Sequence, residues 1–141
     1  MPTPVFTLFN QFKEDLFAGV HDVESDVLKW FLTNSAVTTA GTVKADYTDL
    51  STGNGYTAGG ATWASVSAQQ TSGTLYLMGD DVSWAATGSV GPFRYAVLYN
   101  DTPTSPADPL IGFLDLGYAI TLANGQTMPL EFNPTLGIWY F

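Results

Sequence analysis

The fold of this chain is decided by the stretch Phe93-Arg94-Tyr95-Ala96-Val97-Leu98-Tyr99-Asn100. Aromatic or β-branched side chains stand at every second position from Phe93 to Tyr99. Successive side chains of a β-strand point to opposite faces, so a period of two is typical of a strand. We therefore predict a strand over residues 93–100, and it is the clearest strand signal in the chain.

Shorter strands are expected on both sides of this stretch, with turn residues between them. Asn124-Gly125 is a hairpin signal, whereas the proline-rich loop at residues 101–109 cannot pair as a strand. Regular strands without helices between them are typical of an antiparallel β-sandwich or a jelly-roll-like barrel. We predict a mainly β core over residues 63–141, with strands at 74–78, 82–86, 93–100, 110–114, 118–122, 127–132 and 136–141.

One short helix is expected near the N-terminus, because apolar residues recur there at helical spacing and Gly19 offers a stop. Its predicted apolar face comprises Phe9, Phe12, Leu16 and Phe17. An acidic connector follows, and then a nearly continuous apolar run at residues 27–32 predicts a first strand. The helix and first strand occupy residues 8–33 of a single β domain that spans residues 1–141.

Residues 34–62 are rich in Thr, Ala and Gly and predict an extended arm or long loop. Two interpretations remain open. In the first, the arm docks on a partner through the apolar anchors Tyr47, Leu50, Tyr56 and Trp63, with glycines that allow close backbone contact. In the second, the arm folds back on its own sheet.

The charge balance limits the possible partners. Thirteen acidic residues oppose four basic ones, giving a net charge of −9. Nucleic acid and anionic membranes require clustered cations, so neither is an expected partner. Only 12% of the residues are charged, and weakly charged surfaces suit close-packed assemblies because little charge is dehydrated on contact.

The chain has no cysteine, which excludes disulfides, thiolate chemistry and zinc sites built on cysteine. Residues 1–5 show neither a basic region nor a long apolar run, so no signal peptide is visible. We expect a protein made in the cytoplasm and used without export, with no cofactor.

Few residues have the side-chain type and spacing that a catalytic or metal-binding site requires. His21, the only histidine, stands beside Asp22, but no Ser–His–Asp pattern surrounds it. We interpret it as a solvated connector residue rather than a general base. The pair Asp80-Asp81 is interpreted as a turn, since adjacent carboxylates in turns usually point apart. The alternating acids of residues 22–26 lack the glycine and distant glutamate of a calcium loop.

Arg94, the only arginine, could form a structural ion pair or contact a partner. We favour the structural ion pair within the chain. The four tryptophans could form a sugar-stacking platform, but packing in the core is the default for tryptophan in a small β domain. They are Trp30, Trp63, Trp84 and Trp139.

Six phrases, taken in order, resemble a family of small structural proteins of tailed bacteriophages. The phrases lie at residues 16–22, 26–34, 55–60, 80–84, 93–102 and 110–117, and they include Lys29-Trp30-Phe31-Leu32 and Phe93-Arg94-Tyr95. Members of that family are commonly head decoration (cement) proteins or virion structural proteins. The resemblance implies a β-rich capsid-binding fold without enzymatic activity.

The expected function is therefore that of a non-enzymatic virion protein, most simply a capsid decoration protein that binds and stabilises the head lattice. The expected partners are the major capsid protein and further copies of the chain, as a dimer or trimer. Its place would be the capsid exterior, after assembly in the host bacterial cytoplasm. The alternative is a carbohydrate- or receptor-binding β-sandwich module of a phage fibre or cell-surface protein. A hydrolase would require carboxylates that converge in one cleft.

Overall fold

A computed structural model of the chain describes residues 5–132 and 139–140. The prediction of a mainly β, antiparallel fold with one short N-terminal helix is confirmed. The elements are β1 (Phe6–Leu8), α1 (Asn10–Phe17), β2 (Leu28–Thr33), the 3-10 turn η1 (Lys44–Asp46), β3 (Ala61–Thr62), β4 (Ser67–Thr71), β5 (Thr74–Met78), β6 (Val82–Ala85), β7 (Val90–Asn100), β8 (Leu110–Leu122), β9 (Thr127–Leu130) and β10 (Trp139–Tyr140).

The central sheet has five antiparallel strands in the order β1-β8-β7-β2-β3. The stretch that predicted a strand lies in β7, the middle of this sheet, where Val97 pairs with Phe31 of β2 and Phe113 of β8. Residues 96–100 are buried at five consecutive positions, so both faces of β7 are covered. β7 therefore forms the buried centre of this sheet, between β2 and β8.

Two smaller sheets, in the orders β10-β5-β4 and β6-β9, complete a sandwich-like arrangement. Trp84 of β6 and Leu77 of β5 join the same hydrophobic core as the central sheet. Trp30 of β2 is fully buried in this core. Its ring stacks on Phe132 at 5.6 Å between centroids and meets Trp63 edge-on at 5.8 Å.

Of the four residues predicted to form the apolar face of α1, Phe9 and Phe12 are buried, but Leu16 and Phe17 are exposed. Phe12 is buried as expected, but Asp15 is buried beside it, while Leu16 is 37% exposed and Phe17 is 94% exposed. The reason is that α1 follows β1 directly, and the backbone N–H of Phe9 is tied to the carbonyl of Ile111 in β8. This junction turns the face with Phe12 and Asp15 towards the sheet. Gly19 has φ +77°, which suits the end of a helix.

Several strand boundaries also differ from the predictions. Residues 110–122 form one continuous strand, β8, because β7 pairs with it along both halves. β1 and β4 carried no recognised signal, since β1 has three residues and β4 is polar and exposed at a sheet edge. Of the predicted strand at 136–141, only residues 139–140 are described, and the remainder lies outside the described residues.

Candidate functional site

The four proposed anchors of the arm turn towards the protein's own core. Tyr56 and Trp63 are buried, and Tyr47 and Leu50 are half-buried against the same core. In this conformation the arm folds back on its own sheet, so Tyr56 and Trp63 are not accessible to a partner, whereas a partner contact by Tyr47 and Leu50 stays a prediction. The second of the two interpretations of residues 34–62 describes the structure.

Asp49 holds the arm in this position. Its carboxylate accepts a hydrogen bond of 2.5 Å from the Tyr56 hydroxyl and one of 2.6 Å from the backbone N–H of Gly59. The Lys44 ammonium lies 3.1 Å from the same carboxylate, and it also stands 4.9 Å from the centre of the Phe31 ring. Hydrogen bonds to a charged acceptor in a shielded site are among the stronger ones. No sequence pattern marks Asp49, because none of these partners is its neighbour in the sequence.

Two buried tyrosines complete this network. The Tyr99 hydroxyl donates 2.6 Å to the carbonyl of Gly59, and the Tyr56 hydroxyl accepts from the backbone N–H of Leu32 at 3.0 Å. Burial raises the pKa of both phenols, and for Tyr56 the hydrogen bond to Asp49 raises the pKa further. Both hydroxyls therefore stay protonated and act as hydrogen-bond donors rather than as bases.

Two glycines of the arm permit close backbone contact with the sandwich. A Cβ on Gly60 would lie 1.8 Å from the carbonyl oxygen of Trp30, and one on Gly55 would lie 2.1 Å from that of Ala85. Both glycines have positive φ, +84° and +95° respectively. The glycine-rich composition thus serves close contact with the chain's own backbone.

His21 is not the solvated residue that the sequence predicted. It is 7% exposed, and its ring lies 5.1 Å from that of Phe12. Its Nδ1 is 3.1 Å from the side-chain amide nitrogen of Asn100 in β7, which also donates 2.6 Å to Asp26. The prediction failed because the burial of His21 depends on Asn100, 79 positions away in the sequence.

The His21 cluster consists of Asp15, His21, Asp26 and Asn100. Burial lowers the pKa of His21, against the opposing effects of the Asp15 and Asp26 carboxylates. Nε2 of His21 and one carboxylate oxygen of Asp15 have no hydrogen-bond partner among the described residues. No group of three or more His, Asp and Glu side chains that could hold a metal occurs within the part of the chain that the structure describes. We interpret the cluster as a structural link, made of polar side chains, between β7 and the connector that precedes β2.

The other carboxylates that the sequence analysis considered lie apart from one another. Asp80 accepts from the Ser65 hydroxyl at 2.9 Å, whereas Asp81 accepts from the backbone N–H of Phe132 at 2.8 Å. Glu24 accepts from the backbone N–H of Ala68 at 3.0 Å. Each carboxylate fixes a separate loop.

Arg94, the candidate for a structural ion pair, pairs with Asp115 on the neighbouring strand β8. Its Nε and one terminal nitrogen donate to the two carboxylate oxygens at 2.9 and 3.1 Å. The hydrogen bond from Arg94 is the main reason that the pKa of Asp115 is lowered. Both side chains are well exposed, so the pair is accessible to solvent and salt.

The three tryptophans whose side chains are described pack in the core, as we expected in preference to a sugar-stacking platform. Trp30, Trp63 and Trp84 are buried, and the side chain of Trp139 lies outside what the structure describes. These three tryptophans therefore do not form a sugar-stacking platform. Among the described residues, the exposed aromatics are Phe17 and Tyr118, at 94% and 53% exposure. Neither was found from the sequence, because Phe17 continued the apolar period of the helix.

A shallow groove of about 350 Å³ lies between the arm and the start of β7, lined by residues 49–54 and 89–91. Its lining is mostly polar, and the Asn54 side chain crosses towards the other wall, donating 2.9 Å to the carbonyl of Ser89. The groove contains no aromatic side chain that could stack on a sugar. Its walls are already bonded to each other, so it contributes mainly to holding the arm.

The chain was compared with models of protein families, with curated proteins and with solved structures, and none of these comparisons gave a match. Among the described residues, no helix is sufficiently long and apolar to span a bilayer.

Proposed function

We propose that the chain is a non-enzymatic structural protein of a tailed-bacteriophage particle, namely a decoration protein that binds the major capsid protein on the capsid exterior. It would be assembled in the host bacterial cytoplasm and act as a homo-oligomer. Two features of the sequence support this proposal: the ordered resemblance of six phrases to that family, and a charged fraction of only 12%. Weakly charged surfaces favour extended contact with neighbours because little charge is dehydrated.

The observation that carries the proposal is the exposure of Phe17 at the end of α1. A phenylalanine that is 94% exposed has almost all of its apolar surface in water. Leu16 beside it is 37% exposed, and Val5 in the same N-terminal segment is 77% exposed. Burying one such side chain in a contact contributes about 1.5–3 kcal/mol. This term is repeated in every copy on a lattice, where linked contacts multiply affinity.

The proposed contact surface therefore moves from the arm to the N-terminal segment, defined here as Val5, Leu16 and Phe17. The arm has a structural role within the domain, because its hydrogen bonds to Asp49 hold it on the sandwich. With a net charge of −9, the protein should approach a neutral or basic region of the capsid.

The experiment measures co-sedimentation of the purified protein with heads of the same phage that lack it. We expect saturable binding by the wild-type chain and a loss of about tenfold or more in affinity for Phe17→Ser, from the lost apolar contact. Tyr118→Ser is the matched control, since it also removes an exposed aromatic but lies on β8. Its binding should stay within about twofold of wild type.

Two outcomes would contradict the proposal. One is wild-type protein that remains in the supernatant with the heads in excess. The other is saturable binding to an immobilised glycan without binding to heads, which would favour the carbohydrate-binding alternative. Equal thermal stability of both variants and wild type is required, so that lost binding is not lost folding.

A further inference from the structure

We infer that the His21–Asn100 hydrogen bond is sensitive to acid. At neutral pH it holds the connector between α1 and β2 (residues 18–27) against β7, and in mild acid it breaks and releases the connector. This inference is independent of the proposed capsid function. It rests on the direction of the hydrogen bonds around Asn100 and on the burial of the groups involved.

The orientation of the Asn100 amide is fixed from both ends. Its oxygen accepts from the backbone N–H of Thr102 at 3.1 Å, and its nitrogen donates 2.6 Å to the Asp26 carboxylate. The nitrogen is therefore also the atom that meets Nδ1 of His21, at 3.1 Å. Since an amide nitrogen only donates, Nδ1 must accept, and the proton of the neutral imidazole lies on Nε2.

A second proton would disrupt this arrangement. A charged imidazole donates from both nitrogens, so Nδ1–H would face the N–H group of Asn100. Nε2 lies buried without a hydrogen-bond partner among the described residues, so solvent does not compensate the charge there. Two carboxylates face the ring, Asp15 from α1 and Asp26 from the connector, and both favour the charged form. The effect of burial is the largest, and the pKa of His21 is lowered from 6.5.

The direction of the pH effect follows from this lowered pKa. The unfolded or locally opened chain keeps an ordinary histidine, which binds a proton more readily than the closed form. The closed form is therefore fully favoured above about pH 6.5 and loses stability as the pH falls towards the lowered pKa. Below that value no further loss is expected from His21.

The region that opens is set by the hydrogen bonds of the connector. Within it, the Asp26 carboxylate accepts from the backbone N–H of Asp22 at 2.9 Å, and the backbone N–H of Val20 donates to the carbonyl of Asp15 in α1. Two side chains of the connector, His21 and Asp26, meet Asn100 of β7; His21 is the buried one of the two, whereas the connector surface is largely exposed. Weakening the contact of His21 with Asn100 should open residues 18–27 and the end of α1 before the sheets unfold.

The first test uses the wild-type chain, in which His21 is the only histidine. NMR of the imidazole nitrogens should show the proton on Nε2 at pH 7.5 and a titration midpoint below 6.5. Amide exchange of residues 20–26, corrected for intrinsic rates, should be faster at pH 5.5 than at pH 7.5. Each pH unit by which the midpoint is lowered allows up to about a tenfold increase in opening.

The second test uses variants. His21→Asn keeps an acceptor oxygen near the position of Nδ1 but does not titrate, so the acid response of residues 20–26 should disappear. Asp108→Asn is the matched control, because it removes another titratable group, one whose pKa is raised by burial and by the negative charge of Asp101. This control should keep the full response.

A midpoint at or above 6.5, a proton on Nδ1, or an unchanged acid response in His21→Asn would overturn the inference. If His21→Asn does not fold, the wild-type midpoint and tautomer still decide the matter. Head binding by the wild-type chain at pH 7.5 is measured separately, so the failure of the capsid proposal would be distinguishable.

Discussion

The Tyr56 hydroxyl donates a hydrogen bond of 2.5 Å to the carboxylate of Asp49, seven residues earlier in the chain. The same hydroxyl accepts from the backbone N–H of Leu32 in the central sheet. One buried phenol thus joins two points of the arm to β2 of the central sheet. This contact converts a glycine-rich segment into part of the domain.

Tyr56→Phe should therefore destabilise the protein, although it keeps the ring. The Leu32 N–H loses its acceptor and Asp49 loses a donor in a shielded site, which costs about 1–3 kcal/mol. The measurement is urea denaturation followed by tryptophan fluorescence. Tyr118→Phe, at a position that is 53% exposed, is the control and should stay within about 0.5 kcal/mol of wild type. Equal stability of the two variants would show that the Tyr56 hydroxyl does not hold the arm.

Gly60→Ala should be more damaging than Gly73→Ala. Both glycines have nearly the same φ, +84° and +85°, but a Cβ at residue 60 would meet the Trp30 carbonyl at 1.8 Å, whereas nothing lies within 4 Å at residue 73. Gly73→Ala should cost on the order of 1–2 kcal/mol from the backbone conformation alone. Gly60→Ala adds a clash with the central sheet and should lose clearly more in the same denaturation experiment. Similar losses would mean that the arm can move away from β2 without cost.

Asp108→Asn should stabilise the protein at pH 7. Burial, followed by the negative charge of Asp101, raises the pKa of Asp108, so the folded chain binds this proton more tightly than the unfolded chain. The stability that Asp108 contributes is present in acid and is lost as the pH rises through the raised pKa. A neutral amide avoids that loss, and the gain at pH 7 should be about 0.5 kcal/mol or less for a partly solvated group.

The matched control for Asp108→Asn is Asp46→Asn, for which the sign is reversed. Hydrogen bonds from the backbone of Thr42 and Val43 lower the pKa of Asp46. Asp46 therefore contributes stability at neutral pH that is lost as the pH falls through its lowered pKa, and its amide variant should be less stable at pH 7. Thermal unfolding at pH 7 and pH 3 measures both effects, and both differences should shrink in acid. A destabilised Asp108→Asn variant at pH 7 would contradict the prediction.

The residues of the candidate site show which contacts could not be predicted from the sequence. The glycine content of the arm predicts close backbone contact, and the structure shows that Gly55 and Gly60 make it with strands of the same chain. Asp49 was overlooked, because its role depends on Lys44, Tyr56 and Gly59 meeting around it. Hydrogen bonds between residues far apart in sequence leave no periodic signal.

The sequence by itself determined the strand character of residues 93–100, the antiparallel β class and the presence of one short N-terminal helix. These properties depend on local periodicity, which a strand or helix imposes on neighbouring residues. Only the tertiary structure decided that Phe17 points outwards, that Tyr56 points inwards and that His21 is buried on Asn100. The orientation of an element and the burial of a polar residue depend on which distant strand supplies the surface and the hydrogen-bond partner, and that choice is made by packing rather than by local pattern.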